Sequence, residues 1–409
     1  MHDTRFQRLT ERLAEGAPLW RCLPFQEPEP AWRSRWPGLA EALLALDDDT
    51  LARLQADPFA GSALADSPLA AWLPVAALAE LVALPDLSRH VTLPEAWAEG
   101  IAERKRRQLE AFVPQVPAGP DEAPVDLVEW CAGKGHLARA LAQRHGVEVT
   151  ALEWDPALCA AGSVLAQGQS AAVRFRVQDV MAEEAGRWLH AGSRAVALHA
   201  CGDLHRRLLT LAAEAGSEVV LAPCCYQRTA DERYRPLSAR GRDLAAAAGL
   251  ALDRDALTLA VQETVTAPRG VQRHRERASA WRLGFDRLQR RVRGVDAYLP
   301  VPSLAYGRMP ARFSEFCRWA AAQKGLALPE GVDWAGLEAE GWRRHREVAR
   351  LELVRHLYRR PLEVWLALDR LAFLEEAGYA VELGTFCARS LTPRNLLLRA
   401  RRDSSAAGA

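Results

Sequence analysis

Between residues 125 and 222 the chain alternates short apolar runs with amphipathic stretches of helical length. Val125–Trp130, Val147–Leu152, Val173–Val177, Ala195–His199 and Glu218–Ala222 read as strands, and His136–His145, Pro156–Gln167 and Asp203–Ala215 as helices between them. Near-continuous apolar strands separated by helices imply a parallel sheet covered on both faces, because a parallel pair needs a long crossover. An open α/β sheet binds its ligand at the carboxyl ends of its strands, where strand order reverses. Those strand ends are polar or sulfur-bearing in this chain, so they are where a site is expected.

The rest of the chain is read around that core. Residues 1–113 form an N-terminal helical region whose helices are kept short by Pro28, Pro30, Pro37, Pro58, Pro68, Pro74, Pro85 and Pro94. Residues 114–124 hold Pro114, Pro117, Pro120 and Pro124 and read as a linker. Residues 125–228 are the first part of the core, and 229–360 a basic, mostly helical insertion. Within it Leu257, Leu259, Val261 and Val265 alternate as a strand would, while Val348, Leu351, Val354 and Leu357 mark a helix face. Residues 361–402 complete the core: a helix from Pro361 to Ala377 with Gly378 as its stop, then strands Ala380–Phe386 and Asn395–Arg399. The tail 403–409 is expected to be disordered.

Composition removes several function classes. A chain of 409 residues exceeds one ordinary core. It has no 18-residue apolar run and no basic-then-apolar start, so neither a membrane span nor a signal peptide is expected. Its eight cysteines then read as reduced thiols of a cytoplasmic protein, not a disulfide framework. A net charge of +1 excludes a uniformly basic coat but not a local patch. Thr264–Arg293 is such a patch: arginines 269, 273, 275, 277, 282, 287, 290, 291 and 293 stand against Glu276 and Asp286. Arginine matches phosphate well, which makes RNA a candidate partner through Arg269, Arg273, Arg275 and Arg277. A solvated face in an arginine-rich chain is the competing reading.

The first strand runs into Glu129-Trp130-Cys131-Ala132-Gly133-Lys134-Gly135-His136. Glycines between a strand and a helix let the backbone turn tightly against a ligand, and the helix start adds exposed amides. The second strand ends Glu153-Trp154-Asp155, where a carboxylate accepts two hydrogen bonds from a ribose diol and Trp154 offers a ring to a base. The third ends at Asp179, placed to accept from an exocyclic amine. In register over three units, Glu129, Cys131, Gly133, Gly135, Glu153, Trp154 and Asp179 point to a nucleoside-containing cofactor. Gly133 to Ala138 also satisfies the dinucleotide GxGxxA form, but Glu129 would repel a pyrophosphate and suits a cationic amino-acid portion. A P-loop is excluded, since Lys134 precedes Gly135.

The fourth and fifth strands end His199-Ala200-Cys201-Gly202-Asp203 and Pro223-Cys224-Cys225-Tyr226. With Cys131, four of the eight cysteines then converge on one edge. They read as small packing residues, as part of a pocket in which Tyr226 orients a target atom and His199 or Asp203 takes its proton, or as a soft-metal site. The adjacent Cys224-Cys225 pair lacks the usual CxxC spacing, so no metal is assigned.

The motifs WCAGKGHL, LHACGD and PCCY together resemble the methyltransferase domain shared by methyltransferase-like 25 proteins, the glutathione S-transferase C-terminal domain-containing protein and the eukaryotic tRNA acceptor-stem 2′-O-methyltransferases. Leu368-Asp369-Arg370, Leu391-Thr392-Pro393-Arg394-Asn395 and the basic Arg104–Gln108 are similar to further elements of that group. The resemblance covers about 104–228 and 361–401. It implies a class I, Rossmann-like methyltransferase fold with a seven-stranded sheet whose last strand is antiparallel. It also implies S-adenosyl-L-methionine as cofactor, held by Glu129, Gly133, Gly135, Glu153 and Asp179, with His199 beside it. Cys131 stands where the commonest version of the loop has its first glycine. RNA, as tRNA or rRNA, is the expected acceptor. A protein or small-molecule acceptor, a non-catalytic binding protein and a nicotinamide-dependent oxidoreductase are the alternatives.

Overall fold

The computed structural model describes residues 2–98, 101–117, 125–262, 269–305 and 307–402. Seven strands form one sheet: β1 (Asp126–Trp130), β2 (Val149–Glu153), β3 (Val173–Val177), β4 (Ser193–Cys201), β5 (Glu218–Cys224), β6 (Tyr379–Thr385) and β7 (Leu396–Arg402). Their order is β3-β2-β1-β4-β5-β7-β6. Strands β1 to β5 run parallel, and β7 is antiparallel to both β5 and β6. Strand order therefore reverses between β1 and β4. All of β1 after Asp126 is buried, as is β4 from Ser193 to Leu198, which is why both read as near-continuous apolar runs, with Glu129 and Arg194 as buried charged exceptions.

The chain divides into two compact units, one within residues 1–14, 80–263 and 359–409 and the other within 15–79 and 264–358. The N-terminal region expected as one piece is thus shared between them, and so is the expected insertion 229–360. In the sheet unit, Leu109, Phe112, Val113 and Val116 are buried in one cluster with Leu127, Leu137, Val196 and Leu397. Val113–Gln115 is a turn of 3₁₀ helix with Val113 and Gln115 buried. The linker reading therefore fails over 114–117, where the prolines end a packed helix; 118–124 and the tail 403–409 lie outside the described residues. The strand expected from Leu257 is instead the helix Arg254–Val261. Asp253 caps it by accepting from the Ala256 amide at 2.8 Å, and Ala256, Leu257, Leu259, Ala260 and Val261 are all buried. A helix buried on several faces carries no reliable period, and the cap decided the outcome. Val265 lies outside the described residues.

The second unit has its own core, with Trp281, Phe285, Phe313, Phe316 and Leu337 at its centre. Its long helices Arg269–Arg293 and Trp334–Leu357 approach closely at Gly341, where a Cβ would overlap the Ala280 carbonyl. Much of the arginine charge is answered within this unit. Arg287 and Arg291 pair with Glu340 at 3.0 and 3.4 Å, Arg290 pairs with Asp286 and Asp296, and Arg282 donates to the carbonyls of Val301 and Pro302. Arg277 lies over the Trp281 ring, 5.3 Å from its centroid. Arg269, Arg273 and Arg275 are exposed. No helix among the described residues is long and apolar enough to cross a membrane.

The helix Arg359–Glu376 braces the sheet through two buried charged residues. The Asp369 carboxylate accepts from the amides of Leu237 and Ser238 at 2.8 and 3.0 Å, from the Ser238 hydroxyl at 2.7 Å and from the Tyr234 hydroxyl. Arg370 donates to His205 Nε2 and to the Leu366 carbonyl, both at 2.7 Å, with its guanidinium 4.6 Å from the Tyr226 ring centroid. The pair ties the chain leaving β5 to the helix that follows β4. Asp369→Ala leaves several buried donors without an acceptor, each costing about 1–3 kcal/mol. A urea melt is expected to show a loss of at least about 3 kcal/mol, and Asp369→Asn, which keeps one acceptor oxygen, a smaller one.

Candidate active site

Three alternate positions after β1 share one backbone feature. Cys131, Gly133 and Gly135 have φ of 60°, 59° and 62°, the left-handed region that glycine enters freely. Cys131 thus holds a conformation that favours glycine. The loop is fixed by Ala132 N–H to the Leu152 carbonyl at 2.8 Å and Gly135 N–H to the Ala132 carbonyl at 2.9 Å. At Gly135 a Cβ would overlap the Phe175 ring, while at Gly133 it would meet nothing within 4 Å. Gly135 is required by both shape and room, and Gly133 faces open space.

Two buried carboxylates flank the loop, Glu129 at 6% and Glu153 at 5% exposure. Glu153 accepts from the Gly133 amide at 2.8 Å and from the Asp155 amide at 3.1 Å. Asp155 caps the helix Pro156–Gly168 through the Ala157 amide. Glu129 accepts from the Ala138 amide at 2.9 Å. Burial pushes its carboxyl up to about 8, against the opposing pull of that amide, Lys105 and Arg139. The Cys131 thiol is pushed up to about 12, first by burial and then by Glu153, Cys201, Glu129 and Asp179. These groups therefore share one neighbourhood. Asp179 is exposed and accepts from the Met181 amide at 2.9 Å. Trp154 is 74% exposed.

Across the point where strand order reverses, His199 sits at a register break in β4 with φ 78°. Its Nε2 lies 3.0 Å from Gln108 Oε1. Burial, then the charge of Lys105, lowers its pKa to about 4, so the ring is neutral at physiological pH. Asp203 opens the helix Asp203–Ala215 and accepts from the Ala230 amide at 2.8 Å, tying down the loop after β5. Tyr226 is buried between Arg370 and His205, and its hydroxyl has no hydrogen-bond partner among the described residues. Burial raises its pKa. Cys201, Cys224 and Cys225 come together at the ends of β4 and β5, their sulfurs all within 4.8 Å of one another.

The helix Glu103–Phe112 adds residues that strand-end reasoning did not reach. Lys105 is largely buried, which lowers its pKa, against the charges of Glu129 and Cys224. Gln108 holds His199 as above, and the Arg104 guanidinium donates to the Leu391 carbonyl at 2.9 Å. Two signals were available: the basic Arg104–Gln108 stretch named above, and the rarity of lysine, since only Lys105, Lys134 and Lys324 are lysines among 53 basic residues.

A seven-stranded, mostly parallel sheet with its site at this reversal defines a class I, Rossmann-like methyltransferase fold. A family model described as a methyltransferase domain matches residues 104–232, so the chain carries a methyltransferase domain. The match begins on the helix that bears Lys105 and Gln108. No solved structure matches the chain.

The left-handed loop positions differ in what they tolerate. Gly135→Ala combines an unfavourable φ with overlap on Phe175 and is expected to cost at least about 2 kcal/mol. Cys131→Gly relieves an unfavourable φ while freeing the unfolded chain, and is expected to change stability by less than about 1 kcal/mol. Denaturant melts of the two variants check the contrast.

Proposed function

We propose that the protein is an S-adenosylmethionine-dependent methyltransferase of the group that includes the methyltransferase-like 25 proteins and the tRNA acceptor-stem enzymes, and that it acts on RNA. The observation that carries the cofactor reading is the gathering of Glu129, the left-handed glycine loop and Glu153 beside the reversal of strand order. The residues fit the group. Gly133 opens onto free space. The Glu153 oxygens each accept one amide and keep lone pairs for a diol. Glu129 is a buried carboxylate suited to a cationic amino-acid end. Asp179 and Trp154 border the adenine end in this reading.

When bound, the cofactor supplies a methyl group on a sulfonium sulfur. The chain's own work is alignment: the loop and the two carboxylates fix one reactant, and the ends of β4 and β5 border the place of the other. His199, uncharged and fixed by Gln108, is the group we assign to receive an acceptor proton. Asp203 holds the loop after β5, and Tyr226 supports that loop from within the core.

Cofactor binding is expected to depend on pH through Glu129. The free protein holds this carboxyl protonated up to about 8, and a bound cation favours the carboxylate. Binding therefore expels a proton. Affinity for S-adenosylhomocysteine should rise between about pH 6 and 8, by at most roughly tenfold per unit, and level off above. Calorimetry should show this rise in the wild type and a flat profile in Glu129→Gln; a flat wild-type profile removes Glu129 from the cofactor contacts.

Exposed Arg269, Arg273 and Arg275 support the RNA reading, while Arg277 is engaged with Trp281. Replacing the three together by alanine should reduce the salt dependence of tRNA binding by about three phosphate contacts. Tritium from labelled S-adenosylmethionine should enter the RNA fraction of an extract. Entry into the protein or small-molecule fraction instead rejects the RNA acceptor but keeps the transferase.

A further inference from the structure

We propose that Cys201, Cys224 and Cys225 form a three-thiolate site for zinc, with the fourth coordination position open. Among the described residues these three are a group of possible ligand atoms close enough to share one ion. Cys201 and Cys224 are register partners at the ends of the parallel strands β4 and β5, and their sulfurs lie 3.7 Å apart. Two sulfurs on a tetrahedral zinc, each at about 2.3 Å, are about 3.8 Å apart. The widest separation in the cluster is within 4.8 Å, which about 1 Å of side-chain movement closes.

The backbone is bent to bring these thiols together. In a regular strand, successive side chains point to opposite faces, so adjacent cysteines cannot share an ion. Cys225 has φ 48°, which breaks that alternation directly after Cys224. The register break between Leu198 and Cys201, with His199 at φ 78°, sets the level at which Cys201 meets its partner. A left-handed non-glycine residue costs on the order of 1–3 kcal/mol, and such residues gather at functional sites. Packing alone does not call for that strain. Charge agrees as well: the guanidiniums of Arg394 and Arg228 act electrostatically on Cys225. These guanidiniums also offset the net negative charge that three thiolates leave on a divalent ion.

The protons balance simply. Cys201 and Cys224 donate to the carbonyls of His199 and Ala200. Zinc displaces the protons still held by the three sulfurs, and these pass to solvent. Three protein ligands leave one position for water or for a donor atom of a substrate. The ion would lower the pKa of whatever group coordinates there, at the edge where the methyl acceptor is placed.

The test uses the reduced full-length chain with zinc alone and with cobalt alone, and no S-adenosyl compound, so its outcome does not depend on the cofactor reading. One equivalent of cobalt should give the intense thiolate-to-metal charge-transfer band of a tetrahedral sulfur site. Cys201→Ser and Cys225→Ser should each lower zinc affinity by more than the roughly 10–100-fold typical of an outer-sphere loss. Cys22→Ser, in the second unit, should leave it unchanged. Zinc should also protect Cys201, Cys224 and Cys225 of the unmodified chain from alkylation, read by peptide mass spectrometry, which needs no variant to fold. Absence of the charge-transfer band, a band that survives both substitutions, or alkylation of the three thiols unaffected by zinc overturns the proposal.

Discussion

The Gly133 amide donates to the Glu153 carboxylate across 2.8 Å, and through that bond the loop after β1 is tied to the end of β2. The loop reaches Glu153 through left-handed conformations at Cys131, Gly133 and Gly135, and Phe175 fills the space a side chain at Gly135 would need. The carboxylate can remain inside the protein because backbone amides satisfy it. Without Glu153 the amides of Gly133 and Asp155 lose their acceptor. The loop after β1, the end of β2 and the start of the helix that follows it are thereby joined into one cradle.

Unfavourable backbone is concentrated at this edge. Of the four non-glycine residues with positive φ among the described residues, Cys131, His199 and Cys225 stand at the ends of β1, β4 and β5; Ser170 is the exception. Strain of this kind persists only where the surroundings over-determine it. Buried parallel strands and the brace from Asp369 and Arg370 supply that constraint. The same bends that gather three sulfurs thus rest on contacts made on the helix Arg359–Glu376, far along the chain from the cysteines themselves.

The strand ends were legible in the sequence because buried parallel strands are continuous apolar runs and their last residues change character abruptly. Glu129, Cys131, Gly133, Glu153 and Cys201 could be grouped for that reason. Lys105 and Gln108 could not, since they lie on a helix that precedes the first strand, where period and strand-end logic have no purchase. Leu257, Leu259 and Val261 mimicked a strand because a helix buried on several sides loses its period, and only Asp253 betrayed it. The arginine count in Thr264–Arg293 overstated the patch, because Glu340, on another helix of the same unit, answers Arg287 and Arg291. The division into units was hidden altogether: residues 15–79 and 264–358 form one core, although nearly two hundred residues of sequence separate them. The adjacent cysteines argued against a shared ion because they lack CxxC spacing; the left-handed turn at Cys225 is what the sequence did not show.

The central claim is that an S-adenosyl nucleoside lies across the carboxyl ends of β1 and β2. A crystal structure of the chain with S-adenosylhomocysteine tests it most directly. The account predicts density for the ribose within hydrogen-bond distance of Glu153 and for the amino-acid end beside Glu129, with the Gly133–Gly135 loop beneath. Density elsewhere on the molecule, or a crevice closed by Lys105 and the chain's own side chains at saturating ligand, would contradict it.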